Sequence, residues 1–413
     1  MTRLFGLGEG AIANDRSIAA FTMLGHGLFH WFELAVPIFL VVWVREFPVT
    51  VELVGLVVAI GMAPIGLTAL PAGLLVDRFG AKPVVVASVA GMAAGFGTLS
   101  FADSILHVGV SLTVWGVFAG MYHPAGMSLI STGATRRGSI FATHGMAGNV
   151  GTALGPFVTA TLLLVLDWQT VAGVLAVPGL LAVLFGLVVQ FDPMAAADVD
   201  SAAVNAESTF LGRIRGLLGS AFGIVVLVIA LDGLVYRGLI TYLPQILRTL
   251  PGFGQIGLDA GLVGIHASDY VFVGLLVVGI VGQYVGGRLT ERIPVDRALA
   301  VSFGALGVIA VGFLPLARLG LPAGLAMSAL VGFFLFLVQP LYQVAVAVHS
   351  PPTERGLSYG LTYLGEFGIG AASIAVGGYL LGNAPTIVFF VGLGLVAIAA
   401  ALLAVVLTYR FEP

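Results

Sequence analysis

The sequence predicts an all-α integral membrane protein, with twelve transmembrane helices in two pseudosymmetric six-helix halves. Three observations carry that prediction. The first is composition: of 413 residues, 59% are hydrophobic and 9% charged, against about 25% charged in soluble domains. So few charges cannot cover a water-facing surface, and the mean hydropathy of +1.09 agrees. The second is that the apolar residues form long continuous runs, each near the roughly 20 residues that span a bilayer. A membrane β-barrel would show short alternating segments instead. The third is a repeated charged island. Gly73-Leu74-Leu75-Val76-Asp77-Arg78-Phe79-Gly80-Ala81-Lys82 separates the second run from the third, and Gly287-Arg288-Leu289-Thr290-Glu291-Arg292-Ile293-Pro294 follows the eighth. Gly73 matches Gly287, Asp77 matches Glu291 and Arg78 matches Arg292, as in two related halves.

Taken in order, the runs fall at 17–44, 52–76, 83–102, 107–133, 139–165 and 168–191, then at 217–247, 260–287, 297–317, 321–349, 356–382 and 385–409. The first is too long and too polar for a signal-peptide core, so it reads as a retained helix. Residues 192–216 differ: Asp192, Asp198, Asp200 and Glu207 precede Arg213 and Arg215. This is a linker, ending in a short amphipathic helix at the membrane surface. It divides the chain into an N-terminal half, 1–191, and a C-terminal half, 217–413. There is no cysteine, which excludes disulfides and thiol chemistry. The 58 glycines suit closely packed membrane helices.

Orientation follows from the positive-inside rule. One side holds 13 cations: Arg3, Arg16, Arg78, Lys82, Arg136, Arg137, Arg213, Arg215, Arg288, Arg292, Arg297, Arg355 and Arg410. The other holds 3, namely Arg45, Arg248 and Arg318. Both termini are therefore expected on the cytoplasmic face of the cell membrane.

The repeat extends beyond the island. Run four carries Tyr122-His123-Pro124 and run ten Val338-Gln339-Pro340, each followed by an arginine-glycine turn, Arg137-Gly138 and Arg355-Gly356. Run five then has Gly148-Asn149-Val150-Gly151 and run eleven Gly365-Glu366-Phe367-Gly368, so Asn149 and Glu366 occupy equivalent places.

The island resembles the loop between helices two and three of the major facilitator superfamily, Gly-x-Leu-x-Asp-Arg-x-Gly-x-Lys. Gly73, Leu75, Asp77, Arg78, Gly80 and Lys82 match at that spacing. The resemblance implies the major facilitator fold and secondary transport by alternating access. It also implies that helices one, four, seven and ten line a central cavity. In it Gly73, Asp77, Arg78, Gly80, Lys82, Glu291 and Arg292 form a gating loop that braces the outward-facing state; the bland alternative is a solvated turn. A narrower resemblance, through Tyr122-His123-Pro124-Ala125-Gly126 and Gly148-Asn149 to Gly155-Pro156, is to the fosmidomycin-resistance branch. Gly148 to Pro156 also looks like the glycine-proline signature of drug–proton antiporters, although close helix packing explains those glycines equally well.

Ionisable groups inside apolar runs are costly and usually face a cavity. Run one holds His26, His30 and Glu33 on one face, with Trp31 beside them. Run four holds His123, run seven Asp232, Tyr236 and Arg237, and run ten Gln339, Tyr342 and Gln343. Glu33 and His30 are the leading proton-carrier candidates, with His26 and His123 behind them. Trp31, Asn149, Asp232, Tyr236, Arg237, Gln339, Tyr342, Gln343 and Glu366 are the substrate-cavity candidates. The alternatives are a structural Glu33–Arg237 pair, and histidines that only bond a neighbouring helix. Arg237 suits a carboxylate or phosphate; Asp269, Glu366 or an anionic substrate are its other candidate partners, and His266, Asp269 and Tyr270 share a face. The spacing of His26, His30 and Glu33 would suit metal ligands, but it is not the His-Glu-x-x-His motif and no second cluster accompanies it. No metal and no cofactor are expected.

The reading is therefore a monomeric secondary transporter, not an enzyme, whose partners are a small-molecule substrate, protons and the lipid bilayer, with no nucleic acid. Proton-coupled efflux by antiport comes first and uptake by symport second. No Gly-x-x-x-x-Gly-Lys-Ser/Thr loop supports direct use of ATP. A membrane enzyme would need a nucleophile with its base, or a metal cluster. A non-transporting sensor would need no midplane cavity.

Overall fold

The computed structural model describes residues 9–196, 210–253, 267–290, 292–351 and 354–410. The helices follow the predicted runs, and the departures have local causes. α1 (Glu9–Glu46) begins eight residues earlier than the apolar run does. Its extra turns are anchored by polar side chains. Asp15, fully buried, accepts the backbone N–H groups of Thr135 (2.7 Å) and Arg136 (3.0 Å). Asn14 donates to the Gly133 carbonyl and accepts from the Asp192 N–H.

The second run divides into α2 (Val51–Met62) and α3 (Pro64–Phe79). Pro64 has no N–H to donate, so it takes the first position of a new helix. α3 closes through the Gly80 N–H, which donates to the Val76 carbonyl. Gly80 stands at φ +82°, a conformation that side chains resist; the island's second glycine is thus demanded by the turn into α4 (Ala81–Leu99). α5 (Ile105–Gly133), α6 (Arg137–Leu162) and α7 (Trp168–Val188) complete the first group.

α8 (Phe210–Leu218) is the expected short amphipathic helix, and it buries Leu217. α9 (Ala221–Arg248), α10 (Ala267–Thr290), α11 (Val295–Ala317) and α12 (Leu321–His349) follow. The eleventh run is broken in three: α13 (Arg355–Tyr363), a π-helical turn (Leu364–Ile369) and α14 (Ala372–Asn383). α15 (Thr386–Arg410) ends the described chain. Eleven stretches among the described residues are long and apolar enough to cross a membrane. α6 is the twelfth predicted span; its histidine, asparagine, threonines and glycines lower its hydropathy.

In the first group α1 packs on α5 and α6, and α4 on α5 and α7; in the second, α10 packs on α12 and α11 on α12 and α15. The groups meet where α2 lies on α14, α3 on the π turn, α1 on α9, and α6 on α10. The end away from the termini is fastened by Asn383, which donates to Glu52 across the groups (2.8 Å). Asp198, Asp200, Glu207, His266 and Glu291 lie outside the described residues.

Serine, threonine and aspartate caps start several helices: Thr50 for α2, Ser104 for α5, Asp167 for α7 and Ser220 for α9. Asp167 accepts the Thr170 N–H at 2.8 Å and the Thr170 hydroxyl at 3.0 Å. The Thr170 N–H is the chief cause that holds its carboxyl below the usual aspartate range. A lowered folded-state value means that the cap's contribution is complete above the ordinary aspartate pKa and fades as pH falls through the lowered one. Asp167→Ala is expected to cost about 1 kcal/mol at neutral pH. In detergent melts the gap between the two proteins should close on acidification.

Candidate functional site

The intramembrane polar residues converge where the two groups meet. They form two clusters joined by one ion pair. In the first group, α1 presents His26 and His30 one turn apart, α5 presents His123 and α6 presents His144. The His26 ring stacks on His144 at 3.9 Å and meets His30 and His123 edge-on at 4.9 and 5.2 Å. His26 Nδ1 donates to the His144 carbonyl (2.8 Å), since a carbonyl can only accept. The Tyr122 hydroxyl donates to the Thr22 carbonyl and lies 3.2 Å from His144 Nε2.

The bridge is Glu33. His30 Nδ1 donates to its Oε2 at 2.7 Å, and its other oxygen pairs with Arg237 of α9 in the second group. The guanidinium lies near two rings, 4.4 Å from the Phe367 centroid and 5.5 Å from that of Tyr236. Of the partners considered for Arg237, the structure supplies Glu33. Asp269 is taken instead by Arg248, at 2.6 Å.

The second cluster lies within the second group. Gln339 Nε2 is 3.4 Å from Asp232 Oδ2, and the Tyr342 hydroxyl is 2.8 Å from both Gln339 Oε1 and Glu366 Oε2. Asp232 is fully buried and its Oδ1 has no partner among the described residues. Glu366 sits in the π turn, whose backbone presses on Gly233 of α9. Such bulges are frequent at functional sites because they re-aim side chains; here the turn carries Glu366 and Phe367 side by side.

An open, wet cavity between the halves was expected; in this conformation the acidic and histidine candidates are largely covered by protein. Glu33, Asp232 and His123 are only 2%, 0% and 8% exposed. The rings of Phe29, Tyr363 and Phe367 close over His123, with centroids 4.4, 5.0 and 6.0 Å away. The residues are buried in the protein rather than lipid-facing, His123 among aromatic rings, Glu33 in its ion pair and Asp232 beside Gln339. Two surface clefts lie elsewhere, at Tyr284–Arg292 and around Arg213 and Glu354.

Three candidates stand apart. The Trp31 indole N–H donates to the Leu175 carbonyl of α7, so this side chain faces its own group. Gln343 is exposed, and Asn149 is half-buried on α6. At the island, Lys82 donates to the Val189 carbonyl just past α7 (2.6 Å), a favourable place for a cation. Arg78 lies over Phe79, Gly73 borders open space, and Arg292 lines the Tyr284 cleft. No hydrogen bond or ion pair joins these four to the opposite group among the described residues; the side chain of Asp77 is outside them.

Sequence reasoning missed His144, Tyr363 and Phe367. His144 had a usable signal: it precedes Gly148 by four residues, on the glycine stripe that faces α1. The two aromatic residues had none, being ordinary members of an apolar run.

Residues 20–374 match the Major Facilitator Superfamily. The chain belongs to that superfamily. It is therefore a multi-pass membrane transporter. It is 27% identical over 384 residues to a gallate transporter of Pseudomonas putida, covering 84% of this chain and 82% of that protein. The fold is similar to the inward-open xylose transporter XylE from E. coli, with TM-score 0.72 and 15% identity over 96% of each chain. It is also similar to a crystal structure of a D-xylose-proton symporter, with TM-score 0.71 and 14% identity over 97% of this chain and 98% of that one.

Proposed function

We propose that this protein is a proton-coupled carrier of a small organic anion, with the proton on the Asp232–Gln339–Tyr342–Glu366 chain and the anion on Arg237. One observation carries the proton assignment. The chain has three polar contacts, but only two hydrogens are available for them if both carboxyls are ionised. If the Gln339 amide points its nitrogen at Asp232, the tyrosine hydrogen serves either Gln339 or Glu366, and Glu366 must carry a proton. If the amide is flipped, its oxygen faces Asp232, and Asp232 must carry it. In either orientation one proton is held, and the amide orientation decides which carboxyl holds it. Neither carboxyl has a cation within ion-pair distance among the described residues. Glu33, by contrast, has both Arg237 and His30. The coupling role expected of Glu33 and His30 is thus better supported for Asp232 and Glu366.

The anion assignment rests on Arg237, whose planar fork beside aromatic rings suits a carboxylate on a flat ring. The gallate transporter among its relatives is consistent with that class of cargo. An anion entering a buried site is costly unless charge is compensated, and a proton arriving with it supplies the compensation. This supports symport over antiport. The glycine-proline pattern that suggested antiport is accounted for by packing, since Gly151 and Gly155 lie against the α1 backbone at Gly27 and Trp31. Coupling would run through the π turn: protonation at Glu366 sets the position of its neighbour Phe367 under Arg237. The two six-helix halves then rock about this site. The site is complete within one chain, in keeping with a monomer, and the arginine distribution supports cytoplasmic termini.

The test uses proteoliposomes with gallate as first probe and an inward proton gradient. The wild type should accumulate it. Glu366→Gln and Asp232→Asn should each lose gradient-driven accumulation while retaining exchange of gallate at equal pH on both sides. Accumulation that survives both substitutions would overturn the proton assignment.

A further inference from the structure

The mechanism above uses none of the four clustered histidines. We propose that His26, His30 and His123 form a binding site for a divalent transition-metal ion of the zinc, cobalt or nickel kind. One ring nitrogen from each lies within 4.8 Å of the others. A tetrahedral ion with metal–nitrogen bonds of about 2.0–2.1 Å would hold them roughly 3.4 Å apart. Small torsional changes on two neighbouring helices supply that contraction.

The hydrogen bonds around the rings are the independent argument. His26 commits its Nδ1 hydrogen to the His144 carbonyl, and His30 commits its own to Glu33. In its neutral form each ring therefore presents a bare Nε2 lone pair, and neither Nε2 has a hydrogen-bond partner among the described residues. Metal-binding histidines have this pattern, with the second ring N–H on a carbonyl or a carboxylate that fixes tautomer and orientation. The outer shell is itself anchored: Glu33 is held by Arg237 and His144 by Tyr122. Since the Tyr122 hydrogen goes to Thr22, His144 Nε2 is the donor in its contact with Tyr122, so His144 supports His26 from behind.

The donor set defines the ion. Three neutral imidazoles without a thiolate suit zinc, cobalt, nickel or copper rather than magnesium or calcium. Among the described residues no fourth side chain completes the set, which leaves a position for water or an entering ligand. His30 retains 19% exposure, which provides access. An ion here would stand beside Tyr363 and Phe367 of the opposite group, where its presence would alter how the groups close.

The test is titration of the purified full chain in detergent with Co2+, followed by displacement with Zn2+. One equivalent of Co2+ should produce the intense visible bands of a four-coordinate nitrogen-rich site, and Zn2+ should abolish them. His123→Ala should weaken binding at least ~10-fold. His107→Ala, at a histidine 3.7 Å from Asp103 and far from the cluster in the fold, should leave it unchanged. A wild-type spectrum that stays that of six-coordinate aqueous Co2+ overturns the proposal, whatever the variants do. So does equal binding by His123→Ala, or equal loss in His107→Ala.

Discussion

Arg237→Met is expected to abolish transport and to destabilise the protein by about 3–5 kcal/mol, because it strands Glu33 as a buried carboxylate without its cation. The two effects separate in the double variant. Replacing both partners, as in Glu33→Leu with Arg237→Met, removes the stranded charge, and such exchanges are often neutral or stabilising. The double variant should therefore recover the wild-type melting temperature in detergent. It should not recover uptake, since the anion's anchor is still missing; a loss of ~100-fold corresponds to roughly 2.7 kcal/mol of binding. Arg237→Lys should fall between them, keeping the charge but losing the fork geometry and the stacking on Phe367. Full transport by the double variant would show that the pair serves only to hold α1 against α9.

Gly66→Val is expected to hold the two groups apart. α3 approaches the π turn so closely at Gly66 that a Cβ there would run into the backbone of Gly368. Backbone on both sides of the contact leaves no flexible side chain to yield. Overpacking of this kind costs about 1–3 kcal/mol, which shifts a closed-to-open equilibrium by roughly 5- to 150-fold. The chain has no cysteine of its own, so accessibility can be read from one introduced residue. Phe29 is fully buried at the interface, 5.8 Å from the Phe367 ring. Phe29→Cys should label slowly with a membrane-impermeant maleimide, and much faster once Gly66→Val is added. Unchanged labelling would mean that closure does not depend on this contact.

The residues show why some of this was legible beforehand. A span needs about 20 apolar residues whatever it packs against, so the helices could be placed from the chain alone. A positive φ demands glycine, so Gly80 follows from local sterics; the break before Pro64 did not, since prolines such as Pro37 and Pro124 stay inside their helices. The face shared by His26, His30 and Glu33 is a matter of helical period. The π turn at Leu364–Ile369 was not legible, because an extra residue in a helical turn costs little and depends on neighbours such as Gly233. Trp31 shows the limit of spacing: one residue from His30, it points a third of a turn away and bonds Leu175 instead.

By itself the sequence determined the membrane class, the number and order of spans, the duplicated island and the small set of polar groups available to a site. Each of these rests on composition or on contacts a few residues apart. Only the tertiary structure decided that Glu33 meets Arg237, that His144 backs His26, and that Tyr342 stands between Gln339 and Glu366. Those pairings join residues more than a hundred positions apart, or depend on the π turn. They are set by the tilt and rotation of whole helices, which no single helix's own pattern contains.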